Sequence, residues 1–338
     1  MKGFQELNHK VKIFAPTRDV CSSWYRLDTR DEEFVVRNWE MCRYGDKILD
    51  PSNKYMDFEP FREFDPDLII VEKPSITPLN KLLSLLRELS DAYRLAIIHE
   101  GRKIKNKLFY QQPFDNIVVF DKRYLKIFEN VNYLRKPRIS IIGYPYHPIK
   151  IKNGKTIRNL LGLDNNHYSI ILLYGMRTAS ITEIIDTLQL INKSQPIKVL
   201  IVSRDPTTKK IYKMLQREPS IFLLKEEAPP IDRLYDYLNA SDVILLHRPK
   251  SKSKYIAVSS SVHLIAGSLK PIVVPDTIYF EPYKKIVLKY RNLNEFVKNI
   301  LIALQENKKI EELKENIRCK VVENTPSRVT KQILELIE

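Results

Sequence analysis

Residues 259–261 are Ser-Ser-Ser, and an apolar stretch with helical character, Val262–Ser268, follows at once. Three hydroxyls and the N–H groups of a helix start make a site for an anion, because first-turn donors have no intrahelical acceptor and the helix dipole is positive there. Arg248, Lys250, Lys252 and Lys254 stand in the loop just before and can close over the same anion. An arginine–phosphate hydrogen bond is charge-assisted and contributes about 1.5–3 kcal/mol. The same residues would also serve as an ordinary serine cap beside a solvated lysine run. Arg177 and Arg204 each come soon after an apolar run that reads as a strand, as Arg248 does. One such arginine reads as a surface charge, but three at the ends of parallel strands in one sheet converge on one edge. In the first half, Ile97–Gly101 (IIHEG) ends a strand with His99-Glu100, and Phe14–Arg26 (FAPTRDVCSSWYR) leads from a strand into a helix beginning near Ser22-Ser23-Trp24-Tyr25-Arg26. His99 can equally be a structural residue at a strand edge. The three cysteines, Cys21, Cys42 and Cys319, are scattered and odd in number. They fit neither a disulfide framework nor a zinc site, so reduced thiols and no metal are expected.

These residues need elements to place them. Short apolar runs alternate with helical patterns along the whole chain. Expected strands are Val11–Ala15, Phe34–Arg37, Leu68–Glu72, Leu95–His99, Ile117–Phe120 and Ile139–Gly143, then Ser169–Tyr174, Lys198–Ser203, Ile221–Leu224, Val243–His247, Pro271–Pro275 and Ile286–Lys289. Most are continuous β-branched or leucine-rich runs, the pattern of strands buried on both faces of a helix-covered parallel sheet. Helices are expected over Pro78–Ser90, Thr182–Asn192, Thr207–Arg217, Ile231–Ala240 and Asn294–Asn307. Thr207 would cap its helix, and Asp232 sits in a first turn after Pro229-Pro230.

At 338 residues the chain suits two domains. The proline-bearing stretch Gly143–Gly154 divides two halves rich in strand–helix units. The fold class expected is α/β, with two Rossmann-like doubly wound parallel-sheet domains, residues 1–148 and 149–322, facing a cleft. A last helix over 323–338 would cross back onto the first domain. Strand carboxyl ends are where such sheets bind ligands.

The segment Val243–Phe280 resembles the donor-binding region of GT-B glycosyltransferases of the retaining, family-four type. There a helix ending in Ala-Asp leads to a strand, an arginine, a serine turn, a helix and a strand opening Gly-Lys-Pro-Val. Here Leu234–Asp242 (LYDYLNASD), Val243–Arg248, Ser259–Ser261 and Lys270-Pro271-Ile272-Val273 stand in that order. Leu172–Arg177 (LLYGMR) resembles the strand opening the donor domain, although Thr178-Ala179-Ser180 replaces the family's lysine. The resemblance implies a nucleotide-diphosphate sugar as co-substrate, no other cofactor, retention of configuration and no metal. It makes Arg177, Arg204, Arg248, Lys252, Ser259, Ser260, Ser261 and His263 donor-binding. His99 and Glu100 become catalytic, and Arg18, Asp19, Ser22, Trp24 and Arg26 line an acceptor-side loop. The family's paired glutamates are missing: neither Tyr255–Ile256 nor His263–Leu264 is acidic, and His263 either hydrogen-bonds the ribose in their place or is a helix histidine with no ligand. That change allows a different donor, another way of holding the ribose, or lost catalysis.

Charge adds a second line of inference. The net charge is +15, and from Arg102 to Arg158 fourteen Lys/Arg face three acids, Asp115, Asp121 and Glu129. Such a zone attracts phosphates on nucleic acid, lipid or substrate, or is simply a solvated basic surface. Arg102–Tyr110 (RKIKNKLFY), if helical, could lie on an anionic membrane. No P-loop, zinc spacing or aromatic RNA-binding motif is present, which argues against nucleic acid. No apolar run approaches the ~20 residues of a membrane span, and the polar N-terminus lacks a signal-peptide core, so a cytoplasmic protein is expected. A nucleotide-sugar epimerase on the same twin fold and a non-catalytic sugar-nucleotide binder are the competing readings. The acceptor is not legible: glycan, lipid and protein all remain open.

Overall fold

The structure is a computed structural model that describes residues 1–16, 33–39, 56–72, 77–99, 101–160, 162–163, 167–174, 182–203, 216, 219–226, 229–247, 256, 258–305 and 307–338. In chain order the elements begin α1 (Lys2–Glu6), β1 (Ile13–Pro16), β2 (Val35–Trp39), α2 (Glu59–Phe64), β3 (Leu68–Glu72), α3 (Leu79–Glu88), β4 (Tyr93–Ile98), β5 (Asn116–Val119) and β6 (Arg138–Ile141). There follow α4 (Gly154–Leu160), β7 (Ser169–Tyr174), α5 (Thr182–Ser194), β8 (Ile197–Ser203), β9 (Phe222–Glu226), α6 (Ile231–Ala240), β10 (Val243–Leu245) and α7 (Ser260–Ile265). The chain closes with β11 (Ile272–Pro275), β12 (Leu288–Tyr290), α8 (Leu293–Leu304), α9 (Lys308–Glu323) and α10 (Pro326–Leu334). Each strand lies within one or two residues of its expected run. The helix expected over Thr207–Arg217 lies almost wholly outside the described residues.

Two compact units divide the chain: Met1–Tyr144 with Tyr255–Val258 and Pro326–Glu338, and Pro145–Lys254 with Ser259–Thr325. The first division thus falls at Tyr144, four residues before the expected one. The return of residues 255–258 to the first unit was not expected. It is fixed by an antiparallel bridge between Gly101 and Ile256, closed by Ile256 N–H donating to Gly101 O at 3.1 Å.

In the first unit β3, β4, β5 and β6 form a parallel sheet in sequence order, with β1 and β2 paired separately. The two-residue alternation of side chains sorts β4 and β5 between two cores. Ala96, Ile98, Ile117 and Val119 pack with α3 residues Leu82 and Leu86 and with Phe109, Phe114 and Tyr124. Leu95, Ile97 and Val118 face the other way, against Val329 and Ile333 of α10 and Phe4 of α1.

The second unit is one six-stranded parallel sheet in the order β12-β11-β10-β7-β8-β9. Counted from β7, that is 3-2-1-4-5-6 read from β9, the doubly wound nucleotide-binding order. Its central strands are sealed: Ile171, Leu172, Leu173, Ile201 and Ile244 have no exposed surface. This is why their sequences read as continuous apolar runs without alternation.

Candidate active site

A doubly wound sheet has one place where the chain stops building leftward and starts building rightward. In the second unit that switch lies between β7 and β10, paired through Val243–Ile171, Ile244–Leu172 and Leu245–Leu173. From β7 the chain adds β8 and β9 on one side, and from β10 it adds β11 and β12 on the other. Connections diverge there, and sheets of this strand order bind ligands outside the carboxyl ends of the two strands at that point. Tyr174 closes β7, and burial pushes its phenol up from its ordinary pKa. Beyond β10, His247 is 8% exposed, and its Nδ1 shares a short hydrogen bond with the Tyr290 hydroxyl at the end of β12. Past the end of β11, Asp276 accepts hydrogen bonds from Lys289 Nζ and Arg291 Nε, each at 3.1 Å. Burial alone would raise the Asp276 carboxyl, but those two cations more than offset it and hold it below the usual carboxylate range.

The serine turn lies at this same edge by topology, since α7 leaves the carboxyl side of β10 to reach β11. Ser259 is the N-cap of α7 and is buried, while Ser260 is exposed and Ser261 partly so. The Ser259 side chain makes no capping bond. Its carbonyl accepts from Val262 N at 3.1 Å and from the Tyr283 hydroxyl at 3.2 Å. The N–H groups of Ser260 and Ser261 are first-turn donors with no intrahelical acceptor. Helix α7 is short: it spans Ser260–Ile265 and tightens into a 3₁₀ turn over Ala266–Ser268. His263 lies on the inner face of α7, 5% exposed, with Nε2 2.8 Å from the Tyr283 hydroxyl and its ring 4.1 Å from that of Tyr146. Because Tyr283 spends its proton on Ser259 O, His263 Nε2 carries the hydrogen in that contact. The turn is therefore braced from beneath by a Ser259–Tyr283–His263 chain, and the structure gives His263 a packing role at this position.

In the first unit His99 directly follows β4, and Glu72 is the last residue of β3. The imidazole is 23% exposed, with Nε2 3.7 Å from Glu72 Oε2, and makes no hydrogen bond at Nε2 among the described residues. Its ring stands edge-on to Phe120 at 5.0 Å and to Tyr144 at 6.0 Å. Tyr124 donates to His99 O at 3.4 Å, and burial pushes its phenol up to about 12. A histidine held by two aromatic edges, with a buried Nε2 that makes no hydrogen bond among the described residues and a carboxylate nearby, can donate to or accept from a hydroxyl.

Ser259, Ser260, Ser261, His263 and His99 are thus placed. Glu100, Arg177, Arg204, Arg248, Lys252 and the loop residues Arg18, Asp19, Ser22, Trp24 and Arg26 lie outside the described residues. In sequence Arg177 follows Tyr174 by three residues, Arg204 follows Ser203 by one, and Arg248 follows His247 by one. The segment Arg102–Tyr110 is corrected. It is not an amphipathic helix: a 3₁₀ turn over Lys107–Gln111, capped by Asn106, buries Phe109 and Tyr110 in the first unit's core. Arg102, Lys103, Lys105 and Lys107 stay exposed, so attachment through this segment would rest on charge alone. The basic zone is also less open than its count implies. Lys150, Lys152 and Arg158 are paired with Asp232, Asp236 and Asp242 of the second unit. Glu72, His247, Tyr283 and Tyr290 were not singled out from sequence. Nothing in their spacing marks them, although Glu72 ends an expected strand as His99 does. No group of three metal-ligating side chains occurs among the described residues.

No known protein family's sequence profile matches the chain. Solved structures do. The UDP-forming α,α-trehalose-phosphate synthase of Burkholderia xenovorans superposes with a TM-score of 0.61 at 11% identity, covering 82% of this chain and 75% of that one. HepE of Anabaena, solved with UDP and glucose, gives 0.59 at 11% identity over 82% of this chain and 80% of its own. The N-terminal domain of trehalose-6-phosphate phosphatase from Candida albicans gives 0.59 at 11% identity, over 83% and 72%. With these neighbours and its own strand orders, the chain has the GT-B fold, two Rossmann-like units in one polypeptide.

Proposed function

We propose that the protein is a glycosyltransferase that binds a nucleotide-diphosphate sugar in its second unit. The observation that carries this is the β7/β10 switch point with the Ser259–Ser261 turn at the same sheet edge. Switch point, first-turn donors and three arginines that follow strand ends in the sequence suit a diphosphate. In this reading Arg177, Arg204, Arg248, Lys252 and the serine turn stabilise the charge growing on the departing diphosphate. His99, with Glu100 beside it in sequence, acts on sugar hydroxyls, and the loop bearing Arg18, Asp19, Ser22, Trp24 and Arg26 serves the acceptor. The solved HepE complex, which holds UDP and glucose, supports a uridine nucleotide as the first donor to try.

A thermal-shift screen against UDP-, GDP- and dTDP-sugars tests the reading, since a ligand that prefers the native state raises the melting temperature. One of these is expected to stabilise the protein, and Arg248→Ala is expected to abolish donor turnover while the circular dichroism spectrum stays unchanged. No stabilisation by any nucleotide sugar, or full turnover by Arg248→Ala, would overturn the donor assignment.

A further inference from the structure

The amino-terminal edge of the second unit's sheet, opposite the switch point, carries a cavity of about 630 Å³. Its wall is made where strands begin: Ser169 opens β7, Pro196 precedes β8, Asp242 precedes β10 and Pro271 precedes β11. The end of α8 and the first turns of α9 complete it. Most of its charges neutralise one another. Asp242 takes Arg158 Nη2 and Ile170 N, both at 2.7 Å, and Arg158 Nε donates to Ala240 O. Lys314 pairs with Glu311 at 2.7 Å, and Arg318 with Glu315 at 3.3 Å. Lys270 differs: its ammonium makes no ion pair or hydrogen bond with any described residue.

Lys270 is half-buried, so its ammonium has lost part of its water without gaining a bonded anion, which is unfavourable for a charge. Burial lowers the Lys270 pKa. Asp242 opposes that, and Arg158 and Lys314 add to it. A bound anion would compensate the lost water and offset the repulsion from Arg158 and Lys314. The rest of the lining suits hydroxyls. Gln195 reaches Ser169 Oγ through Nε2 at 3.4 Å, which leaves its carbonyl oxygen to accept, and Ser268 donates to Ile265 O at 2.7 Å, which leaves its lone pairs. The volume falls within the ~300–1,000 Å³ of small-molecule sites. An inorganic ion alone would fill little of it.

We propose that this cavity binds a small hydroxylated anion, a sugar or polyol bearing a phosphate or a carboxylate, with Lys270 as the anchoring charge. The site is separate from the donor edge and stands whether or not that reading does. The test uses the full chain with a hexose 6-phosphate, a hexuronate, a neutral hexose and inorganic phosphate as probes. Saturating UDP is present in parallel runs to occupy the proposed donor site. Calorimetry should show one of the two charged sugars binding, at least tenfold more weakly to Lys270→Met, with Lys270→Arg restoring most of the affinity. In the unmutated protein the same ligand should slow acylation of Lys270, read by peptide mass spectrometry, with UDP present or absent. Protection by the hexose phosphate identifies a phosphate head, and protection by the hexuronate a carboxylate head. Binding that leaves Lys270 labelling unchanged, binding that UDP displaces, or no binding by either charged sugar would overturn the proposal.

Discussion

Asp115 stands just before β5 and receives three bonds from one residue: Arg94 N at 2.9 Å, Nε at 3.0 Å and Nη2 at 3.1 Å. Both side chains are largely covered, 10% exposed for Arg94 and 16% for Asp115. Burial by itself would raise the Asp115 carboxyl. The Arg94 hydrogen bonds and the charges of Arg94 and Arg135 outweigh it, and the carboxyl is held below its ordinary value. The folded state therefore prefers the ionised form more than the unfolded chain does. Its contribution is complete above the unfolded pKa of about 3.9 and is lost as pH falls through the folded value. Asp115→Asn should cost about 2–3 kcal/mol at neutral pH, the scale of charge-assisted bonds to a covered carboxylate. It should also flatten the acid side of the stability curve. Urea unfolding from pH 3 to 7 measures both, and an unchanged acid limb would remove Asp115 as the group responsible.

At the scale of elements, the C-terminal helix decides whether the first unit's sheet is covered. The helix α10 presents Val329 and Ile333, 5% and 6% exposed, to Leu95, Ile97 and Val118. Its start meets α1 so closely that a Cβ on Gly3 would lie 2.3 Å from Pro326 O and from Thr330 Oγ1. Two substitutions separate packing from fit. Ile333→Ala should lower stability by about 2–4 kcal/mol through the cavity it leaves. Gly3→Ala should lower the melting temperature with no apolar surface lost, because backbone must move. Equal melting points for Gly3→Ala and the parent protein would mean that α1 and α10 do not approach as described. Gly101 works the same way: a Cβ there would fall 1.2 Å from Ile256 O, so only glycine lets Ile256 bridge to the loop after β4.

The whole molecule is assembled from unequal pieces. The second unit is nearly continuous, and its six strands find their helices within Pro145–Thr325. The first is built from three segments, the last of them past the end of the second unit. A fragment of residues 145–325 should fold alone, with a cooperative thermal transition, and keep the melting-point rise given by the nucleotide sugar. A fragment of residues 1–144 should not, since Leu95, Ile97 and Val118 would lie open to water without α10. Adding residues 326–338 by fusion should restore its cooperative transition. A cooperative melt for 1–144 alone would show that the third segment is dispensable.

The amino-acid sequence by itself determined the twelve strands, their division between two halves of the chain and the position of the serine turn. Buried parallel strands leave unbroken apolar runs such as Ile170–Leu173, and punctuation such as Pro271 and Gly154 survives in any context. It could not determine which way α7 turns. His263 fits a solvent-facing ribose ligand as well as a core histidine by type alone, and only the packed Tyr146 and Tyr283 rings decided between them. The same holds for Phe109 and Tyr110, whose neighbours Lys105 and Lys107 suggested a membrane face until the 3₁₀ turn set them inward. Strand order is the deepest case. Local sequence specifies that β7 and β10 are strands, yet their pairing across about seventy residues, which sets the switch point, arises only from long-range burial that no single segment encodes.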